Sequence, residues 1–166
     1  MVTFMCLATF ALSFGQGFEP TKGFKQVNFG VGVSSWGIPV YAGVDFGIRD
    51  RITVGPRVSY RSYDESFGGS DFDYSIFNID LRGNYHYGSH IMDLPPELDL
   101  YGGLTIGYSI WNSDFDNFFG YEEEESRVYM ALQAGARWYF NDSWGVNAEV
   151  SGGSLAGLDV GLSYRF

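Results

Sequence analysis

From Gln26 onward apolar and polar side chains alternate almost without interruption, the pattern of a strand with two different environments on its two faces. Broken at the turn signals, the alternation predicts strands at 26–35, 39–49, 52–62, 74–87, 98–111, 126–140, 144–152 and 156–166. Each is close to the roughly 9–11 residues that a tilted strand needs to cross a bilayer. One face carries Val27, Phe29, Val31 and Val33, then Val40, Val44, Phe46 and Ile48, and later Leu104, Ile106, Val128, Met130, Leu132, Val146, Val150, Leu158, Val160 and Leu162, with scarcely a charge among them. Three strands end that face in a pair of rings two residues apart: Tyr85 and Tyr87, Trp138 and Phe140, Tyr164 and Phe166. Aliphatic carbon followed by amphipathic rings is the order met on passing from hydrocarbon to a headgroup interface.

The other face holds Asp45, Arg57, Asp80, Arg82, Arg137, Glu149, Asp159 and Arg165 among Gly, Ser, Thr, Asn and Tyr. In a soluble sandwich such a face looks into water and favours Lys and Glu. In a transmembrane barrel the polarity inverts, and four acids and four arginines must pair inside. Glycines at 30, 32, 43, 47, 55, 103, 107, 135 and 161 on this face suit the narrow interior of an eight-stranded barrel. The expected fold is an all-β, eight-stranded antiparallel up-and-down transmembrane β-barrel, its charged interior plugging the lumen rather than selecting ions.

Connection lengths set the orientation. Arg49-Asp50-Arg51 and Asn141-Asp142-Ser143 are tight turns, whereas 62–73 and 112–125 read as long polar loops. Short turns on the periplasmic side and long loops outside put both termini in the periplasm. The connection from Gly88 to Glu97, with Pro95-Pro96, is long for a periplasmic turn.

Composition sharpens this. The 166 residues include 23 Gly and are 19% aromatic, which favours strands and turns over helices. Mean hydropathy is slightly negative, and no apolar run reaches the roughly 18 residues of a membrane-spanning helix. The formal net charge of −10 repels phosphate and argues against nucleic acid as a partner. Val2 to Phe14 is almost wholly apolar, and Ser13-Phe14-Gly15 puts small residues three and one before a cleavage ahead of Gln16, so residues 1–15 read as a secretory signal peptide, though without a positive n-region. Residues 16–25 then form a periplasmic stub and 26–166 the barrel. Cleavage removes Cys6, the one cysteine, and with it any disulfide or thiol chemistry.

The last eight residues, Asp159-Val160-Gly161-Leu162-Ser163-Tyr164-Arg165-Phe166, resemble the C-terminal signal of small bacterial outer-membrane β-barrel (porin-like) proteins. Gly135 to Val146 is similar to a hairpin that recurs in them, Gly-x-Arg-aromatic-aromatic-Phe followed by Asp-x-Trp-Gly. The signal peptide, ending Ser-Phe-Gly before Gln, resembles those of Bacteroidetes-type bacteria. The resemblance covers the whole mature chain. It implies an integral outer-membrane location amid outer-membrane lipid and lipopolysaccharide, and insertion by the barrel assembly machinery reading Gly161, Leu162, Tyr164 and Phe166. Tyr85, Tyr87, Trp138, Phe140, Tyr164 and Phe166 would form the periplasmic aromatic girdle.

Candidate chemistry is sparse. His86 and His90 are the two histidines, and Ser89 and Asp93 stand near them as in a Ser-His-acid site. The topology puts this cluster at the periplasmic rim, and His86 points inward, so an interior or turn role is the stronger expectation. Glu122 to Glu125, after Asp114 and Asp116, offers oxygens to a divalent cation but lacks the offsets of a calcium loop, so it reads as a solvated run. No cofactor is expected. Trp36, Trp111, Phe115, Phe118, Phe119 and Tyr121 are either interface anchors or a contact surface for an extracellular partner reached through 62–73 and 112–125. Three functions compete: a surface-interaction barrel without turnover, a narrow porin-like channel, and an enzyme acting on outer-membrane lipid. A lipocalin-type soluble barrel would need the opposite parity.

Overall fold

The computed structural model describes residues 18–35, 37–67, 70–113, 127–153 and 156–166. The expected signal peptide, Cys6, Trp36, and the aromatic and acidic positions from Asp114 to Glu125 lie outside the described residues. Eight strands follow in chain order: β1 (Lys25–Ser34), β2 (Val40–Arg49), β3 (Ile52–Phe67), β4 (Ser70–His86), β5 (Leu98–Ser113), β6 (Arg127–Tyr139), β7 (Trp144–Gly153) and β8 (Gly157–Arg165). Each pairs antiparallel with its neighbour in sequence, and β1 pairs with β8, from Gln26 opposite Arg165 to Ser34 opposite Gly157, so the sheet closes into a barrel. Closure leaves no strand edge without partners in a solvent that cannot hydrogen-bond. An even number of strands puts both ends of the described chain at the same end of the barrel, here called the terminal end.

The parity holds across the sheet. Leu104 and Leu132, opposite each other on β5 and β6, are 52% and 67% exposed on the outer face. The buried set includes Gln26, Asn28, Asp45, Arg61, Asp80, Arg82, Asp99, Arg137, Glu149 and Asp159, drawn from all eight strands, with four tyrosines beside them. Backbone geometry at two places needs glycine. A Cβ on Gly55 would lie 1.6 Å from the Val44 carbonyl oxygen, beside Pro56, which can offer no N–H to the ladder. Gly30 and Gly161 face each other on β1 and β8, and a Cβ on either would come within 3 Å of the Tyr41 hydroxyl that crosses above them.

Two boundaries differ from the sequence reading. The segment 62–73 is not a loop: β3 and β4 stay paired to Phe67 opposite Ser70, giving strands of 16 and 17 residues. This hairpin extends past the last paired residues of β1, β2, β7 and β8, and its sequence from 62 to 73 is mostly polar, so no alternation marks it as strand. The expected polar stub is also structured. Residues from Phe18 fold across the terminal end: Pro20 is fully buried, Phe18 packs on Tyr139 and Phe24 with ring centroids 5.1 and 5.5 Å apart, and Gly23 and Phe24 bond through the backbone to Gly47 at 2.9 and 2.8 Å. Glu19 pairs with Arg51 at 2.9 Å and raises its pKa further above the ordinary value by that hydrogen bond. Arg51 itself turns β2 into β3 with a φ of 65°. Asn141 closes the β6–β7 turn, its side-chain oxygen accepting from the backbone of Ser143 and Trp144 at 2.9 and 2.7 Å.

Candidate functional site

The inward residues meet in three layers. Nearest the terminal end, Arg137 on β6 donates to Asp99 on β5 at 3.1 Å and to Asp45 on β2 at 2.8 Å, with its guanidinium 4.1 Å over the Tyr101 ring. Asp99 is also 2.7 Å from Nδ1 of His86, whose Nε2 is 3.0 Å from the Thr53 hydroxyl. Asn28 donates to Asp45 at 2.9 Å and accepts from Ser163 and Gln26, and Tyr139 donates to Gln26. Thr53, His86 and Asp99 are each 0% exposed, so this hydroxyl–imidazole–carboxylate line has no approach for a substrate.

The middle layer is built on Glu149 of β7. It accepts from Arg57 at 3.2 Å, Arg82 at 2.5 Å and Tyr101 at 2.8 Å, and Arg57 reaches on to Asp159 at 2.5 Å while stacking 3.9 Å over Tyr41. Tyr41 in turn spans from β2 to Asn147 on β7 at 2.7 Å. The small number of strands makes this reach possible: eight of them enclose a width that one arginine or tyrosine can cross. Every charge here has an opposite partner, the condition under which buried ions are tolerated.

Above it, at the end away from the termini, the lumen opens into a cavity of about 50 Å³ lined by Ser34, Ser59, Arg61, Asp80 and Tyr129 over the Arg57–Arg82–Glu149–Asp159 layer. Arg61 donates to Ser34 at 2.8 Å, and Asp80 accepts from the Tyr129 hydroxyl.

Of the eight charges expected to share the lumen, Asp45, Arg57, Arg82, Arg137, Glu149 and Asp159 make ion pairs inside it, and Asp80 makes a hydrogen bond without an ion pair among the described residues. Arg165 stands apart. As the last residue of β8 it lies at the rim, donating to the Asp142 carbonyl and stacking 4.1 Å over Tyr139 and 5.0 Å over Phe18. Asp99, Arg61, Tyr41, Tyr101 and Tyr129 are additional members. Period-two parity marks all five as inward, and counting tyrosine hydroxyls as lumen ligands would have found three of them. The four-residue reading around His86 separates: its two ring nitrogens go to Thr53 and Asp99 rather than to Ser89 or Asp93, and the Ser89 hydroxyl is buried without a hydrogen-bond partner among the described residues. His90 stacks at 6.0 Å on Tyr85 outside the barrel wall, 2.6 Å from its hydroxyl.

At the terminal end Tyr85, Tyr87, Trp138, Phe140 and Phe166 are exposed on the outer face. Tyr164 lies between Phe166 and Trp144, at 5.0 and 4.8 Å, so Trp144 adds a ring that the sequence reading left out. On β8, Gly161 and Leu162 face Gly30 and Phe29 of β1, and Tyr164 faces Val27. Among the described residues no group of three or more His, Cys, Asp or Glu could hold a metal ion.

All of residues 1–166 match the family described as outer membrane protein beta-barrel domain. The chain belongs to this family. It is an integral barrel of the Gram-negative outer membrane, and the outward leucines and valines face lipid. Solved structures of similar fold include the Pseudomonas aeruginosa outer membrane protein OprG, with 12% identity over 91% of this chain and 98% of that one and a TM-score of 0.65. Yersinia pestis Ail, solved with the heparin analogue sucrose octasulfate, has 14% identity over 88% and 100% at a TM-score of 0.53. A de novo designed transmembrane β-barrel has 14% identity over 90% and 100% at 0.58. These likenesses show the fold alone. No curated protein sequence matches the chain.

Proposed function

We propose that this protein is a closed, non-conducting surface barrel, anchored in the outer membrane to present its long hairpin and acidic loop to the outside, without catalytic turnover. The observation that carries the reading is the Arg57–Glu149–Arg82 crossing with Asp159. Four strands contribute to it and no charge in it is left over. Beneath it the Arg137 layer, and then Phe18 and Pro20, obstruct the same axis. Both termini then lie in the periplasm with the girdle rings at the inner interface, and Gly161, Leu162, Tyr164 and Phe166 form the segment read by the assembly machinery. Residues 1–15 are removed as a signal peptide.

Ail binds a heparin analogue, a polyanion. A chain of net charge −10, with acids concentrated at 114–125, repels such a ligand, so a partner of the loops is basic or uncharged. Divalent cations linking those acids to lipopolysaccharide phosphates are compatible with the same placement. Liposome swelling with the purified protein tests the closed lumen: monosaccharides are expected to stay out, and uptake at porin-like rates would overturn this reading in favour of a narrow channel.

A further inference from the structure

The cavity at the end away from the termini is lined by two buried charged residues that make no ion pair among the described residues, although Arg57 stands opposite Asp80 on the adjacent strand and each of the two lies in the other's field. Arg61 is 6% exposed, donates once to Ser34, leaves Nε without a partner and forms no ion pair among the described residues. A guanidinium carries five donors in a fork suited to a carboxylate. Asp80 is 7% exposed, accepts from Tyr129 and likewise has no ion-pair partner among the described residues. The other charges lining the cavity, Arg57, Arg82, Glu149 and Asp159, are two of each sign and already hold one another.

We propose that this outer pocket binds a small zwitterion from outside the cell, its carboxylate on Arg61 and its ammonium on Asp80. A simple anion would gain Arg61 but meet the field of Asp80, and a simple cation would face the reverse. A molecule with both ends gives each of the two buried groups the direct charge-assisted contact it lacks, which the neighbouring charges supply only through space. The size is right for an amino acid no larger than glycine or alanine: one water needs about 10–15 Å³, and the cavity holds about 50 Å³. The pocket is blind on the closed-lumen reading above, so it serves capture rather than passage.

The full chain folded in detergent micelles is titrated with glycine, acetate and methylammonium, following the backbone amides of Ser59 to Arg61 and Asn78 to Asp80 by NMR. Saturable shifts are expected with glycine, and acetate or methylammonium alone should bind about tenfold or more weakly, the effect of losing one charge-assisted hydrogen bond. Arg61→Met and Asp80→Asn should each weaken glycine by a similar factor, with heat-modifiable mobility on SDS gels showing that each variant is folded. The wild-type comparison of the three solutes decides even if a variant fails to fold. Acetate binding as well as glycine would reduce the pocket to an anion site and overturn the proposal, as would an absence of saturable shifts with glycine. Sugar uptake by liposomes with the glycine shifts intact would sink the closed lumen and leave the site standing, whereas a sugar-tight barrel without those shifts would do the opposite.

Discussion

At the residue scale the barrel depends on where a charge sits rather than on how many there are. Glu149 receives two guanidinium groups and the Tyr101 hydroxyl inside the lumen. Glu149→Ala leaves Arg57 and Arg82 short of a counter-charge and is expected to cost about 3–5 kcal/mol, less where water enters, read as a lower urea midpoint in lipid vesicles. The same chemistry on the other face behaves differently. Leu132→Arg puts a cation into hydrocarbon and should cost roughly 2–4 kcal/mol. Ser151→Asp, on the neighbouring strand, puts a small charge into the polar cavity lined by Arg57, Arg61 and Arg82 and should cost far less in the same assay. Equal losses would contradict the parity. Thr105→Arg is a poorer control, because Thr105 already receives Nε of Arg82 at 3.3 Å and a second cation there meets the first.

At the scale of elements the closing pair matters most. β8 and β1 are the last and first strands of the barrel, and their ladder joins the two edges that the other seven pairings leave open. Phe166 still bonds through its N–H to the Lys25 carbonyl at 3.1 Å, and its ring packs on Tyr164. Deleting Phe166 is therefore expected to reduce assembly, measured as the fraction of heat-modifiable protein in isolated outer membranes. An unchanged fraction would remove the C-terminal segment as an assembly signal. Strand identity was legible in the sequence wherever lipid and lumen imposed opposite demands on alternate residues. It was not legible from 63 to 73, where polar residues break the alternation and only the backbone ladder reveals the strands.

For the whole molecule, orientation is the property with the widest consequences. If both termini are periplasmic, a protease added to intact cells meets the β3–β4 hairpin and the stretch 112–125 but never the β6–β7 turn. Cleavage is expected between Asn112 and Glu125, with the backbone-paired hairpin more resistant and Asn141 to Ser143 spared. Immunoblotting of the fragments gives the answer, and cutting at Asn141 to Ser143 in sealed cells would invert the barrel. The same orientation opens the Arg61–Asp80 cavity to the exterior and turns the Phe18–Phe24 seal towards the periplasm.

The amino-acid sequence by itself determined the strand count, the two faces, the membrane as surroundings and most of the charges inside, though it included Arg165 and left out Arg61 and Asp99. Period-two alternation records which solvent each side chain meets, and that is a local property of the chain. Partner choice was decided only by the tertiary structure. Arg57 reaches Asp159, 102 positions away, and Tyr41 reaches Asn147, 106 positions away, because closing the barrel brings opposite walls within one side chain of each other. Closure also separated Arg165 from the network by leaving it at the rim, gave His86 to Thr53 and Asp99 instead of Ser89, and folded the short segment at Phe18 under the lumen. Alternation tells each residue which side it faces; the curvature and stagger of a closed sheet set its height and its angle around the axis, and those two coordinates decide which charges meet.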